Sequence, residues 1–365
     1  MKIRNNEETL VYVGTYTRGE SKGIYTYGLD ASSGALTLVE TGPYVESPSF
    51  LATDPKQRFL YAVNEIGEFD GKPGGSVSAF AIAPETGALT LLNQQPSHGT
   101  SPCHVSVDKT GQFVLVANFG SGHVSAFPVE DNGQLGAATD LIQHEASDIE
   151  PERRKAPHAH SIIMDPANRY AFAPDLGLDR IMIYRLDLAQ GKLKPSEEPW
   201  VQVKSGAGPR HFVFHPGRKY AYVINELDNT VIAFTYDEAH GVLREIQTIS
   251  TLPAAFTGTS NCADVHIAPS GKFLYGSNRG HDSIVIFSIH EGTGKLTVVG
   301  HEPTQGKNPR NFAIDPTGTF LLAANQDTDT IVTLRMDGKT GELMSTGHVT
   351  EVPAPVCVKI RHSVL

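Results

Sequence analysis

Three kinds of side chain in this 365-residue sequence are placed so that they could do chemistry together. Arg210 and Arg310 each follow a proline, and Arg279 follows Asn278. Glu65 and Glu226 each follow an asparagine, and His158 and His160 stand two apart in Pro157-His-Ala-His-Ser161. A guanidinium offers a planar fork of N–H donors that grips a carboxylate or phosphate at two points. A carboxylate, or an imidazole near its ordinary pKa, can take a proton from water. The combination suits a small anionic ligand and acid–base chemistry performed on it. His158 and His160 would share one face of a strand, which is how a metal site can begin. No third ligand follows at a recognisable spacing, so an acid–base role is the better reading, and neither a metal nor a cofactor is expected. For Arg310 and Glu65, an ordinary salt bridge or a solvated rim charge is an equally good account.

The elements that must hold these residues follow from a repeat. A G-x-L turn recurs at Gly34, Gly87, Gly133, Gly191, Gly241, Gly294 and Gly341, with spacings averaging about 51 residues, the period of a four-stranded propeller blade. Between the turns lie short runs rich in β-branched and aromatic residues, such as Ile284-Val-Ile-Phe-Ser-Ile, which read as strands. Each pair of runs is joined by a turn of the Asp-Pro-x-Gly type, at Asp54, Asp108, Asp165, His215, Ala268 and Asp315. Six such turns serve seven G-x-L signals. The first repeat lacks its opening strand, and the lone run Pro355-Val-Cys-Val-Lys-Ile360 supplies it from the other end. The expectation is an all-β fold, a seven-bladed β-propeller of four-stranded antiparallel blades. A single domain spans 1–365, and its ring is closed by the C-terminal strand joining the N-terminal blade.

In such a hairpin, residues equidistant from the turn share a face. That arithmetic pairs Arg210 with Glu226, His160 with Asp175, Asp264 with Arg279, and Arg310 with Asn325, all at the channel mouth opposite the Asp-Pro turns. The recurring tip residues Asn64, Asn118, Asp175, Asn225, Asn278 and Asn325 read as scaffold that satisfies backbone groups. The longest repeat contains the segment 136–157, with Ser147-Asp-Ile-Glu-Pro-Glu-Arg-Arg-Lys155. It is expected to lie over the same mouth as a surface loop or a partial lid, with Arg153 as a substrate contact.

Composition narrows the partners. With 30 Lys+Arg against 40 Asp+Glu the net charge is −10, so no basic surface is on offer for nucleic acid or an anionic membrane. Three well-separated cysteines cannot all pair, and the N-terminus carries acidic residues where a signal peptide needs an apolar core. A soluble cytoplasmic protein is expected. No G-x-S-x-G elbow, dinucleotide fingerprint or P-loop is present, and the single Trp argues against a Trp-Asp repeat propeller.

Gly206-Ala-Gly-Pro-Arg-His-Phe-Val-Phe-His-Pro216, followed by Tyr220-Ala-Tyr-Val-Ile-Asn-Glu-Leu-Asp228, resembles the most specific stretch of the lactonase family of seven-bladed propellers. Ala263-Asp-Val-His-Ile-Ala-Pro269 leading to Arg279 resembles its next blade, and Pro157-His-Ala-His-Ser161 is similar to the segment carrying its proposed catalytic His. The resemblance covers essentially the whole chain from Gly14-Thr-Tyr-Thr17. It implies an enzyme without cofactor that acts on a small anionic lactone, with His160, Arg210, Glu226 and Arg279 catalytic. His158, Arg310, Glu65 and Arg153 are then expected as substrate contacts. Hydrolysis of 6-phospho-D-glucono-1,5-lactone is the favoured reaction, with His160 or Glu226 as base. A muconate-type lactonising isomerase and a non-catalytic sugar- or protein-binding propeller are the alternatives.

Overall fold

The computed structural model describes residues 9–145 and 156–361. Seven four-stranded antiparallel sheets form a ring, and six of them run from an inner strand to an outer one in chain order. Blade 1 alone is assembled from both ends of the chain: Pro355–Arg361 is its inner strand and Thr9–Thr15 its second. Val13 pairs with Val358 and Val11 with Ile360 across that junction. The remaining inner strands are Pro48–Thr53, Pro102–Val107, Ile163–Met164, Pro209–Phe214, Asn261–Ile267 and Pro309–Ile314. One extra hairpin, Glu68–Phe69 with Lys72–Pro73, is inserted after Glu65 in blade 2.

Burial follows position in the blade. The second strands, such as Tyr220–Asn225 and Phe113–Asn118, are buried along their whole length because neighbouring blades cover both faces. Outer strands such as Val242–Ser250 are mostly half-buried or exposed. Apolar clusters bridge blades instead of filling one centre; Val11, Val13 and Tyr27 of blade 1 pack with Phe320, Leu322 and Ile331 of blade 7.

The turns work as their residue types require. Asp54 Oδ1 accepts the backbone N–H groups of Arg58 at 2.5 Å and Phe59 at 2.8 Å, and Asp108, Asp165 and Asp315 repeat the arrangement. At His215 the imidazole substitutes, with Nδ1 accepting Gly217 N–H at 2.9 Å. The G-x-L glycines have a different task. Gly133 has φ of 86° and lies against Phe59 of the preceding blade, where an added Cβ would come within 2.2 Å of the ring. Gly241 meets Tyr170 in the same way. Two residues further along the second strand, Tyr12, Tyr61, Tyr222 and Tyr275 donate their hydroxyls to the carbonyls of Gly87, Gly133, Gly294 and Gly341. The repeat glycine is therefore the joint between blades.

Substituting Gly133→Ala should cost about 1–3 kcal/mol through overpacking and positive-φ strain and lower the unfolding midpoint by several degrees. Gly67→Ala, whose Cβ would meet nothing within 4 Å, serves as the control; equal melting of the two variants would contradict this account.

Candidate active site

A repeated irregularity in the inner strands aims side chains at the mouth. Pairing in blade 5 runs from Pro209↔Asn225 to His211↔Ile224, leaving Arg210 as an extra residue. The same one-residue break leaves Ser49, Cys103 and Arg310 outside the register, and blade 1 skips Val356. A β-bulge of this kind releases a side chain from the strand's alternation and redirects it. In blade 4 the inner strand shrinks to Ile163–Met164, preceded by a lone bridge from Ala159 to Asp175, and the irregular run carries His158 and His160. A second set comes from the residue after each tip, which is Tyr16, Glu65, Phe119, Leu176, Glu226, Arg279 and Gln326 around the ring.

These two sets bring the expected residues together. Arg210 Nε donates to Glu226 Oε2 at 2.8 Å, and Arg279 Nη2 forms an ion pair with the same oxygen at 2.9 Å. Arg279 Nη2 also reaches Cys262 O at 2.9 Å, while its buried Nε has no partner among the described residues. Arg210 is 2% exposed and is tied through Nη1 to Ala263 O. Its Nη2 makes no hydrogen bond within the described residues. Arg310 lies with its guanidinium carbon 5.5 Å from the Tyr16 ring centre and pairs with no carboxylate of the described residues. Beside it, Tyr16 Oη donates to Glu65 Oε2 at 2.9 Å. His160 is buried with Nδ1 3.8 Å from Cys103 Sγ and its ring 5.4 Å from those of Phe119 and His211. His158 stacks on Phe119 at 4.6 Å and bonds Phe119 O through Nδ1 at 2.9 Å.

Some expectations are corrected. Asp264 does not meet Arg279, because an extra residue between Cys262 and Val265 shifts the register; it binds His211 and His266 instead. Asp175 serves the scaffold, accepting His158 N–H at 2.8 Å and sitting 2.7 Å from His144 Nδ1. Asn64, Asn278 and Asn325 donate to backbone carbonyls of preceding loops, as scaffold residues should. Arg153 lies outside the described residues, as do residues 146–155 of the proposed lid, and within the rest of that segment Asp140–Gln143 forms the outer strand of blade 3. Tyr16, Cys103, Phe119 and His211 escaped the sequence reading, and Asp264 was placed at the mouth with the wrong partner. Cys103 occupies the post-proline position of Arg210 and Arg310, and Tyr16 and Phe119 occupy the post-tip position of Glu226, so comparing positions across all repeats would have found them.

Three guanidiniums against two carboxylates leave one positive charge in surplus at the mouth. Burial pushes Glu226 up, but Arg210, Arg279 and Arg310 override it and hold the carboxyl below its ordinary range. Burial, reinforced by Arg210, His211 and Arg310, drives His160 well below the usual imidazole value. Burial pushes the Cys103 thiol upward, so it is no thiolate nucleophile. Among the described residues no group of three or more His, Cys, Asp or Glu is arranged to hold a metal ion.

The sequence profile of the lactonase 7-bladed β-propeller family matches residues 10–360. The chain belongs to the lactonase family. It is 41% identical to the 6-phosphogluconolactonase of Bacillus subtilis (strain 168) over 353 residues, covering 97% of this chain and 98% of that one. A Formosa agariphila 6-phosphogluconolactonase is 38% identical and covers 83% of this chain and 86% of its own. Among solved lactonase structures, the periplasmic gluconolactonase of Pseudomonas aeruginosa superposes with a TM-score of 0.90 at 32% identity, covering 97% of this chain and 99% of that one. No helix among the described residues is long and apolar enough to cross a membrane.

The buried imidazoles make this lactonase fold acid-sensitive. Burial lowers His104 well below the ordinary value, lowers His211 to about 4, and acts on His160 as described. The unfolded chain takes up these protons near pH ~6.5. Stability is therefore lost as pH falls from there toward the folded values, at up to about 1.4 kcal/mol per pH unit for each group. The unfolding midpoint should drop steadily between pH 7 and 5 and less steeply in His104→Gln; an equally steep drop in that variant would count against the assignment.

Proposed function

We propose that the chain is a 6-phosphogluconolactonase, hydrolysing 6-phospho-D-glucono-1,5-lactone to 6-phosphogluconate as one propeller domain. The observation that carries this reading is Arg310, a half-buried guanidinium with no carboxylate partner, beside a Glu226 already neutralised by two others. A dianionic phosphate suits that free fork, and the relatives' names agree with it. The free cysteines fit a reducing cytoplasm.

In this mechanism Arg310, steadied by Tyr16 and Glu65, takes the phosphate and sets the lactone carbonyl near Arg210. His160, neutral because its conjugate acid is disfavoured, removes a proton from water as the water oxygen bonds to C1. Negative charge gathers on the carbonyl oxygen, where Arg210 Nη2 supplies a donor that is already in place and the Arg279 guanidinium adds positive charge. The C1–ring oxygen bond then breaks, and His160 returns the proton to the departing oxygen. Glu226 Oε2 holds both guanidiniums apart, and Oε1, which has no donor among the described residues, orients the water. His160 is the better base because protonating Glu226 would strip two guanidiniums of their counter-ion.

The deciding experiment follows loss of the phospholactone, generated in situ, above its spontaneous rate. Wild type should accelerate it, and His160→Asn should lower kcat by about 10²–10⁴. Arg310→Ala should raise KM for the phospholactone with little change in kcat, and should leave the unphosphorylated lactone unaffected. The acid limb of kcat/KM should fall below the usual imidazole range, since activity is lost only as pH drops through the depressed His160 value. No acceleration at micromolar protein would end this reading.

A further inference from the structure

The channel beneath the mouth holds a second polar cluster that the mechanism does not use. Five donors converge on Asp264: His211 Nδ1 at 2.7 Å and Val265 N–H at 2.9 Å on Oδ1, then His266 Nε2 at 2.9 Å, the Asn311 amide and Phe312 N–H on Oδ2. Asp264 is 3% exposed. A carboxylate surrounded by donors on both oxygens is an acceptor only. His211 must therefore carry its hydrogen on Nδ1, and as a neutral ring it leaves Nε2 bare. That nitrogen lies 3.3 Å from Arg210 Nη1, which is always a donor. The other face of the same imidazole supports His160, edge to face at 5.4 Å, while His104 and Phe50 each pack 5.6 Å away.

We propose that His211 and Asp264 are positioning residues for this site: the carboxylate fixes the imidazole as its Nδ1–H tautomer, and the bare Nε2 holds Arg210 with its unpaired Nη2 toward the substrate. This rests on the assignment of Arg210 to the developing oxyanion. Arg210 is anchored on both sides, by Glu226 through Nε and by Ala263 O and His211 through Nη1, so a single rotamer survives. Charge also balances along the chain of contacts, from Asp264 through the neutral ring to the buried guanidinium. In the wrong tautomer an Nε2–H would face Nη1–H, two donors against each other, and Arg210 would be displaced. The groups facing His211 are Arg210, Asp264, His104, His160 and His266, and among the described residues Asp264 is the acceptor within hydrogen-bond distance of its Nδ1.

The test has two independent arms. In the wild-type protein without substrate, ¹⁵N shifts of the His211 ring at pH 7, assigned by their disappearance in His211→Gln, should show the neutral Nδ1–H form. An Nε2–H tautomer or an imidazolium would overturn the proposal, whatever substrate the enzyme takes. In the kinetic arm, Asp264→Asn should lower kcat by about 10²-fold, the loss expected for a misplaced group, with KM within about threefold. His211→Gln, which keeps an acceptor, should retain more activity than His211→Leu. In an Arg210→Ala background Asp264→Asn should add less than about threefold, because both changes act through one guanidinium. Multiplying losses would show that Asp264 serves only general stability and would defeat the proposal. Where Asp264→Asn fails to fold, the His211 pair in the same background decides the question.

Discussion

Everything at the mouth depends on one seam. The pairing of Thr9–Thr15 with Pro355–Arg361 turns a row of blades into a ring, and only in a ring do distant segments meet. Tyr16 follows the N-terminal strand, Arg310 opens blade 7, and Glu65 closes the second strand of blade 2, so this corner of the site exists only across the closed junction. The seam is held by backbone pairing and by the apolar contact of blades 1 and 7. The exposed ion pair of Arg18 with Asp327, which spans the same gap at 3.1 Å, adds little.

Placing guanidiniums and imidazoles in that ring is costly unless every charge is compensated. The solution is a graded one. Arg210 is fully buried and engaged except at Nη2; Arg279 is engaged through Nη2 alone among the described residues; Arg310 rests on an aromatic face. Burial disfavours the charged forms of His104, His160 and His211, and the carboxylates carry the negative charge. In the proposed reading, binding energy for an anion is concentrated where a donor is still unpaired. The rest of the network resists reorganisation when charge develops.

Much of this was legible in the sequence, because a propeller repeats its instructions. Seven G-x-L turns set the blade number, the missing and surplus strands revealed the closure, and symmetry about His215-Pro-Gly-Arg218 placed Arg210 beside Glu226. What escaped depends on single-residue irregularities. The extra residue after Cys262 rotates Asp264 away from Arg279 and into the channel, and no periodic rule anticipates that. Tyr16 and Phe119 were hidden for another reason: an aromatic residue in a strand-rich chain looks like core until its repeat position is compared with that of Glu226.

The bulge after the opening proline has a consequence for how such proteins diversify. It makes one residue in each of five blades independent of the ladder that folds it, so the occupant can change while hydrogen bonding, turn and interblade joint remain untouched. Two of these sockets here hold the small, uncharged Ser49 and Val356, and others hold Cys103, Arg210 and Arg310. The scaffold therefore behaves as an addressable array around a common opening. New ligand preferences could be written into it one side chain at a time, with the tip-following residues as a second, equally exchangeable register.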